Sequence, residues 1–111
     1  MTYTLWSMDA MLRALADGTR RQILALVWRE ERTAGAIADE FAVTRPAISQ
    51  HLGVLLASEL VSVRQVGTRR LYRANRRAIG RLRADLGAFW DRHLARLKEA
   101  AEVGGRKGRR L

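Results

Sequence analysis

The chain has 111 residues, 48% of them hydrophobic, and no cysteine; that allows one modest core but not two, and excludes disulfides, thiolate metal sites and cysteine-based redox sensing. The formal net charge of +10 is unevenly placed: from Arg45 to Arg77 seven arginines stand against the single acid Glu59, and the stretch from Gly104 to Leu111 adds Arg106, Lys107, Arg109 and Arg110, leaving the rest balanced. A basic surface confined to one segment and a tail is the footprint of a nucleic-acid partner, while the lack of any membrane-length apolar run, and of a basic start and apolar centre in MTYTLWSMDA, leads us to expect a cytoplasmic protein with no membrane partner.

After a short segment with Leu5 and Trp6, a first helix is expected over residues 7–16, with Met8, Met11, Leu12 and Leu15 on one side. Asp17 can cap a second helix, ADGTRRQILALVWRE, whose core candidates are Ile23, Leu24, Val27 and Trp28. Arg20 and Arg21 lie near its N-terminal end, where the helix dipole disfavours cations. They are therefore expected to point to a partner, such as a phosphate, or to acids elsewhere.

The stretch from Thr33 to Leu56, TAGAIADEFAVTRPAISQHLGVLL, reads as two short helices with a tight connection. The first begins after Thr33, an N-cap candidate, and carries Ile37 and Phe41 one turn apart on its buried side; Ala42 and Val43 form the link. The second begins at Thr44, another N-cap candidate, with Pro46 in its first turn, where a missing N–H leaves no intrahelical bond unmade. Ile48, Leu52 and Leu55 have the spacing of one buried face. At about 100° per residue, the opposite direction holds Pro46, Gln50 and Gly53, flanked by Ser49 and His51. Glutamine can contact adenine through two hydrogen bonds and serine can serve several bases. This is the layout of a helix-turn-helix, whose second helix enters the DNA major groove.

From Leu60 the apolar period shortens to about 2, as in a strand. Leu60 to Val66 and Arg69 to Arg73 form two strands joined by Gly67 and Thr68. A hairpin directly after a recognition helix makes a winged helix, and Arg64, Arg69 and Arg70 on and beside its turn would reach flanking phosphates or the minor groove. The last element, from Arg76 to about Val103, is a long helix with Ile79, Leu82, Leu86, Phe89, Trp90, Leu94 and Leu97 at spacings of three and four. A core of this size cannot cover so long an apolar stripe, so part of it should meet a second copy of the chain, with Trp6, Met8 and Leu12 completing the surface. The terminal GGRKGRRL is expected to be disordered and to add non-specific phosphate attraction.

These segments together resemble the ArsR/SmtB family of bacterial winged-helix repressors over nearly everything from Met11 to Trp90. ALADGTRRQILALV is similar to the family's "LADPTRRxIL" opening, with Gly18 where proline is common. TAGAIADEFAVTRPAISQHLGVLLASELVSVRQVGTRRLYR is similar to its helix-turn-helix and wing, and the final helix bearing FWDRHLARL resembles that of its cysteine-free branch. The resemblance implies a homodimer, joined through its first and last helices, that binds a pseudo-palindromic operator in double-stranded DNA and represses transcription, often of its own operon. Carried over by position, recognition-helix contacts fall on Thr44, Arg45, Pro46, Ser49, Gln50 and His51, and wing contacts on Gly67, Thr68, Arg69 and Arg70. The family's D-x-H metal pattern is half present in Asp91 and His93, but Gly104 stands where the next histidine belongs and no acid follows it. Two ligands fall short of a closed zinc site unless Glu99 or Glu102 joins across an interface, so no metal and no cofactor is expected.

The sequence thus predicts a mostly α fold with a β-hairpin wing (α+β), a winged helix-turn-helix over residues 1–103 with long terminal helices forming a dimer interface, and a basic tail over 104–111. A low-specificity architectural DNA-binding protein is the alternative, and an interaction module that has lost DNA binding is a third reading. Two histidines far apart, with no cysteine and no glycine-rich phosphate loop, leave no nucleophile and base pair, so no enzyme is expected. The inducer, if any, is not written in a recognisable site.

Overall fold

Helix α1 (Leu5–Leu15), α2 (Gly18–Leu26), α3 (Ala34–Ala38), α4 (Arg45–Ala57), strands β1 (Val61–Val66) and β2 (Arg69–Ala74), and helix α5 (Arg76–Gly108) follow one another in the order of a winged helix-turn-helix. The structure is a computed structural model that describes the backbone of residues 5–108 and the side chains of residues 7–103. It divides into two units, Met1–Ile79 and Gly80–Leu111. No helix among the described residues is long and apolar enough to cross a membrane.

Four helices start on side chains suited to the task. Asp17 accepts from the Arg20 N–H at 3.1 Å, Thr33 from Ala36 at 3.1 Å, Thr44 from Ala47 at 3.3 Å and Asn75 from Ala78 at 3.2 Å. Each pairs an N–H that has no intrahelical acceptor, an effect worth about 1 kcal/mol. The core of the first unit collects Met11 and Ala14 from α1, Ile23, Leu24 and Val27 from α2 and its cap, Ile37 from α3, Ile48, Leu52 and Leu55 from α4, and Leu60, Val61, Tyr72 and Ala74 around the hairpin. The expected buried stripe of α4 is therefore the one the fold uses.

Three elements depart from the sequence reading. Helix α2 stops at Leu26 and the chain turns at Val27, so Trp28 leaves the core and is 37% exposed. Its carbonyl accepts from Arg76 Nε at 2.9 Å and from Arg76 Nη2, and its ring lies 5.2 Å from that guanidinium. Helix α3 has only five residues, because the Glu40 and Phe41 N–H groups bond back to Ile37 and Ala38 in tighter i→i−3 turns. Phe41 thus sits half-buried in a connection spanning residues 39–44, longer than the expected two-residue link. Helix α5 continues to Gly108, past the expected break at Val103, so part of the expected disordered tail is helical in its backbone. Trp6, proposed for the dimer surface, has a side chain outside the described residues, as do the tail's basic groups.

The Arg20 and Arg21 guanidiniums donate to backbone carbonyls and not to the acids expected for them. Arg20 Nε donates to the Ala14 carbonyl at 2.7 Å, Arg20 Nη2 to Arg13 at 3.3 Å and Arg21 Nη1 to Leu15 at 2.7 Å. The acceptors are carbonyls of the last turn of α1, beyond the reach of its i→i−4 bonds, and that of Arg13 also accepts from the Ala16 N–H at 3.2 Å. Cations are favoured at that end of a helix dipole, which explains why α2 tolerates them at its own start.

The hairpin pairs Val61 with Ala74 through Val66 with Arg69, leaving Gly67 and Thr68 as a two-residue loop. Gly67 has φ +63°, the positive value that a tight hairpin demands at its first loop position. In the second unit, α5 shows Trp90, Leu94 and Leu97 to solvent at 50%, 52% and 58% exposure. Phe89 stacks on His93 at 4.1 Å and meets Trp90 edge-on at 5.6 Å, while His93 Nδ1 donates to the Phe89 carbonyl at 2.8 Å.

Helix α4 ends in a Schellman turn: the Leu60 N–H reaches the Leu55 carbonyl at 2.9 Å and the Glu59 N–H reaches Leu56 at 3.0 Å. The turn forces Glu59 to φ +65°, a conformation suited to glycine. Relieving that strain outweighs glycine's extra unfolded-state entropy, so Glu59→Gly is expected to stabilise the chain by about 0.5–1 kcal/mol, measured by urea unfolding.

Candidate nucleic-acid interface

The outward face of α4 is free of packing. Thr44, Arg45, Pro46, Ser49, Gln50 and Gly53 are exposed, and a Cβ placed on Gly53 would meet nothing within 4 Å. Along the edge nearest the hairpin, α4 and the wing enclose a cleft of about 550 Å³ lined by Thr33, Gly35, Arg45, Ser49, Thr68, Arg69, Arg70 and Tyr72. The Arg45 guanidinium lies across Gly35, 3.7 Å from where a Cβ would stand there. Arg70 extends over the Tyr72 ring, 5.8 Å from its centroid. Arg45, Arg69 and Arg70 have no ion-pair partner among the described residues. Three cations with hydroxyls from Ser49 and Thr68 in one concave surface offer charge and donors to a polyanion.

Two residues proposed for DNA contact occupy other environments. Arg64 is held by Glu31, with Nε 3.0 Å and 2.9 Å from the two carboxylate oxygens and Nη2 also paired. Glu31 is the functional residue that sequence reasoning missed; it stands 33 positions from its partner, so no local pattern announces it. His51 is half-buried on the edge of α4 that faces α2, with Nδ1 3.4 Å from Arg20 Nη1. Nearby, the Arg20 backbone N–H holds the Asp17 carboxyl below its ordinary pKa, and partial desolvation opposes it.

On α1, Leu12 is exposed and Met8 half-buried. On α5, Phe89, Trp90, Leu94 and Leu97 are exposed and Leu86 half-buried. No cluster of three or more metal-ligating side chains occurs among the described residues.

A three-helix core, a helix presented on one side and a hairpin beside it define a winged helix-turn-helix DNA-binding domain. Residues 15–64 match the helix-turn-helix domain family. The HTH-type transcriptional regulator Rv2034 of Mycobacterium tuberculosis is 44% identical over 91 residues, covering 82% of this chain and 85% of that one. An ArsR-like transcriptional regulator from Rhodococcus sp. RHA1 superposes with a TM-score of 0.72 at 34% identity, over 87% of this chain and 94% of that one. The homodimeric winged helix-turn-helix DNA-binding domain of Mb0332 from Mycobacterium bovis, a possible ArsR-family transcriptional regulator, matches with a TM-score of 0.65 at 36% identity, over 81% and 83% of the two chains. The chain belongs to the ArsR family of winged-helix transcriptional regulators, which are DNA-binding proteins and not enzymes.

The Arg64 hydrogen bond holds the Glu31 carboxyl below its ordinary pKa. A carboxyl depressed in the folded state stabilises the fold above its unfolded pKa of about 4.3, and that contribution fades as pH falls through the lower folded value. Thermal unfolding should therefore separate the wild-type chain from Glu31→Gln at neutral pH, with the two curves converging in acid.

Proposed function

We propose that this chain is a homodimeric, sequence-specific repressor that occupies a pseudo-palindromic operator in double-stranded DNA. Helix α4, with the contact set Thr44, Arg45, Pro46, Ser49, Gln50 and His51, reads the major groove. The wing from Val66 to Arg70, through Gly67, Thr68, Arg69 and Arg70, holds the backbone beside it. The observation that carries this reading is that α4 buries Ile48, Leu52 and Leu55 while leaving Ser49 and Gln50 exposed next to a cleft containing three arginines. Small polar side chains suit base edges and arginines suit phosphates, so the two kinds of contact are divided between neighbouring surfaces. Arg64, committed to Glu31, contributes to the placement of the wing.

Dimerisation is supported by the exposed apolar side chains on α5 and by Leu12 on α1, since apolar area of this kind on a small chain is stabilised by covering it. The homodimeric state of the Mycobacterium bovis relative supports it further. Two copies related by a two-fold axis call for two inverted half-sites. Occupation of a promoter by such a dimer excludes other proteins from it, which is repression.

The test is a footprint on the DNA upstream of the gene at about 0.15 M salt with excess competitor. The expected result is a protected inverted repeat with half-site centres about one or two helical turns apart, and a preference for it of about a thousandfold or more over bulk DNA. Diffuse protection removed by competitor would replace the repressor with an architectural protein. Ser49→Ala and Gln50→Ala are each expected to cost about 1–3 kcal/mol at the operator and little on random DNA. Arg69→Ala and Arg70→Ala should weaken binding to every sequence and each lower the slope of log affinity against log salt by about 1.

A further inference from the structure

We propose that Arg20 is a positioning residue for DNA binding: it holds His51 as the Nε2–H tautomer, so that the edge of α4 away from the wing presents a hydrogen-bond donor to a backbone phosphate. The inference rests on the reading of α4 as the groove-entering helix and adds to it a second anchoring edge.

A guanidinium has donors only. The 3.4 Å approach of Arg20 Nη1 to His51 Nδ1 therefore uses the Nδ1 lone pair, and the proton of the neutral ring sits on Nε2. Nε2 has no hydrogen-bond partner among the described residues, and it is not a buried unpaired atom. It is a donor open to solvent on the helix proposed to enter DNA.

Arg20 is well placed to impose this choice because it is itself held from several sides. Its Nε and Nη2 bond the Ala14 and Arg13 carbonyls at 2.7 Å and 3.3 Å, and its backbone N–H bonds Asp17 at 3.1 Å. The guanidinium is thus fixed by the end of α1 and the start of α2 before it touches α4. His51 lies about 200° round the helix from Ser49, on the opposite edge from the basic cleft. A helix in the major groove has a phosphate backbone along each edge. The wing serves one, and His51 meets the other. Phosphate oxygens only accept, so the opposite tautomer would turn a lone pair toward them.

The test has two arms. A two-bond proton–nitrogen correlation spectrum of the full chain, free of DNA at neutral pH, should place the His51 proton on Nε2; a proton on Nδ1 overturns the proposal. In the second arm, affinity for duplex DNA is read by fluorescence anisotropy. His51→Gln, whose amide N–H can stand near the Nε2 position, should stay within about threefold of wild type, and His51→Asn should lose about tenfold. Arg20→Ala should lose about fivefold in the wild-type background and less than about twofold in the His51→Gln background, where no tautomer remains to be set. Equal losses in both backgrounds would make Arg20 a purely structural cap and overturn the role, and so would equal affinities for the Gln and Asn variants. A wild-type chain without affinity for duplex DNA fails the function reading and this role with it, whereas a DNA-binding chain with the Nδ1–H tautomer fails this role alone.

Discussion

Backbone hydrogen bonds at the base of the hairpin fasten the segments around α2, α3 and α4 to one strand. Tyr72 exchanges both of its backbone bonds with Arg32, at 2.9 Å and 2.8 Å, the Ala74 N–H reaches the Val27 carbonyl at 2.9 Å, and the Asn75 N–H reaches Leu60 at 2.9 Å. Val27 closes α2, Arg32 leads into α3 and Leu60 follows α4. One end of β2 thereby fixes where three helices begin or finish. Each such bond is worth about 1 kcal/mol net, but a buried amide left without its acceptor costs more, so the joint resists partial opening. The angle between α4 and the wing is consequently a property of the core and not of the loop between them.

The arrangement also changes how the positive charge should be counted. Arg20 and Arg21 bond the last carbonyls of α1, Arg64 is neutralised by Glu31, and Arg76 stacks on Trp28 while bonding its carbonyl. Arg20, Arg21 and Arg76 still add to the long-range field that draws in a polyanion, yet donors of each are already engaged. Under the proposed function, the guanidiniums left for close-range phosphate contact are those of Arg45, Arg69 and Arg70 in the cleft. A basic segment in a sequence can therefore overstate the number of phosphates a protein will grip.

What could be read from the sequence follows the range of each signal. The caps Asp17, Thr33 and Thr44, the stripe Ile48, Leu52 and Leu55, and the Gly67 turn are decided by residues within a few positions, and the fold keeps all of them. Trp28, Arg64 and His51 are decided by partners far along the chain. Arg76 lies 48 positions from Trp28 and Arg20 lies 31 from His51, distances at which no periodicity operates. Composition could locate the basic surface but could not tell which of its arginines the core would claim. The brevity of α3 was likewise hidden, since Ile37 and Phe41 keep helical spacing even though the helix tightens and stops between them.

The bare outer face of α4 has an evolutionary consequence. Pro46, Ser49, Gln50 and Gly53 are exposed, and the side chains of Ser49 and Gln50 form no hydrogen bond within the described residues. Substitutions at Ser49 and Gln50 therefore leave the folding free energy nearly untouched, because surface changes away from packed or bonded groups usually fall within about 0.5 kcal/mol. Under the proposed function, a lineage can rewrite which bases this helix prefers without first acquiring a stabilising change elsewhere. Duplicated copies of such a gene are free to diverge onto new promoters while the scaffold beneath them stays the same.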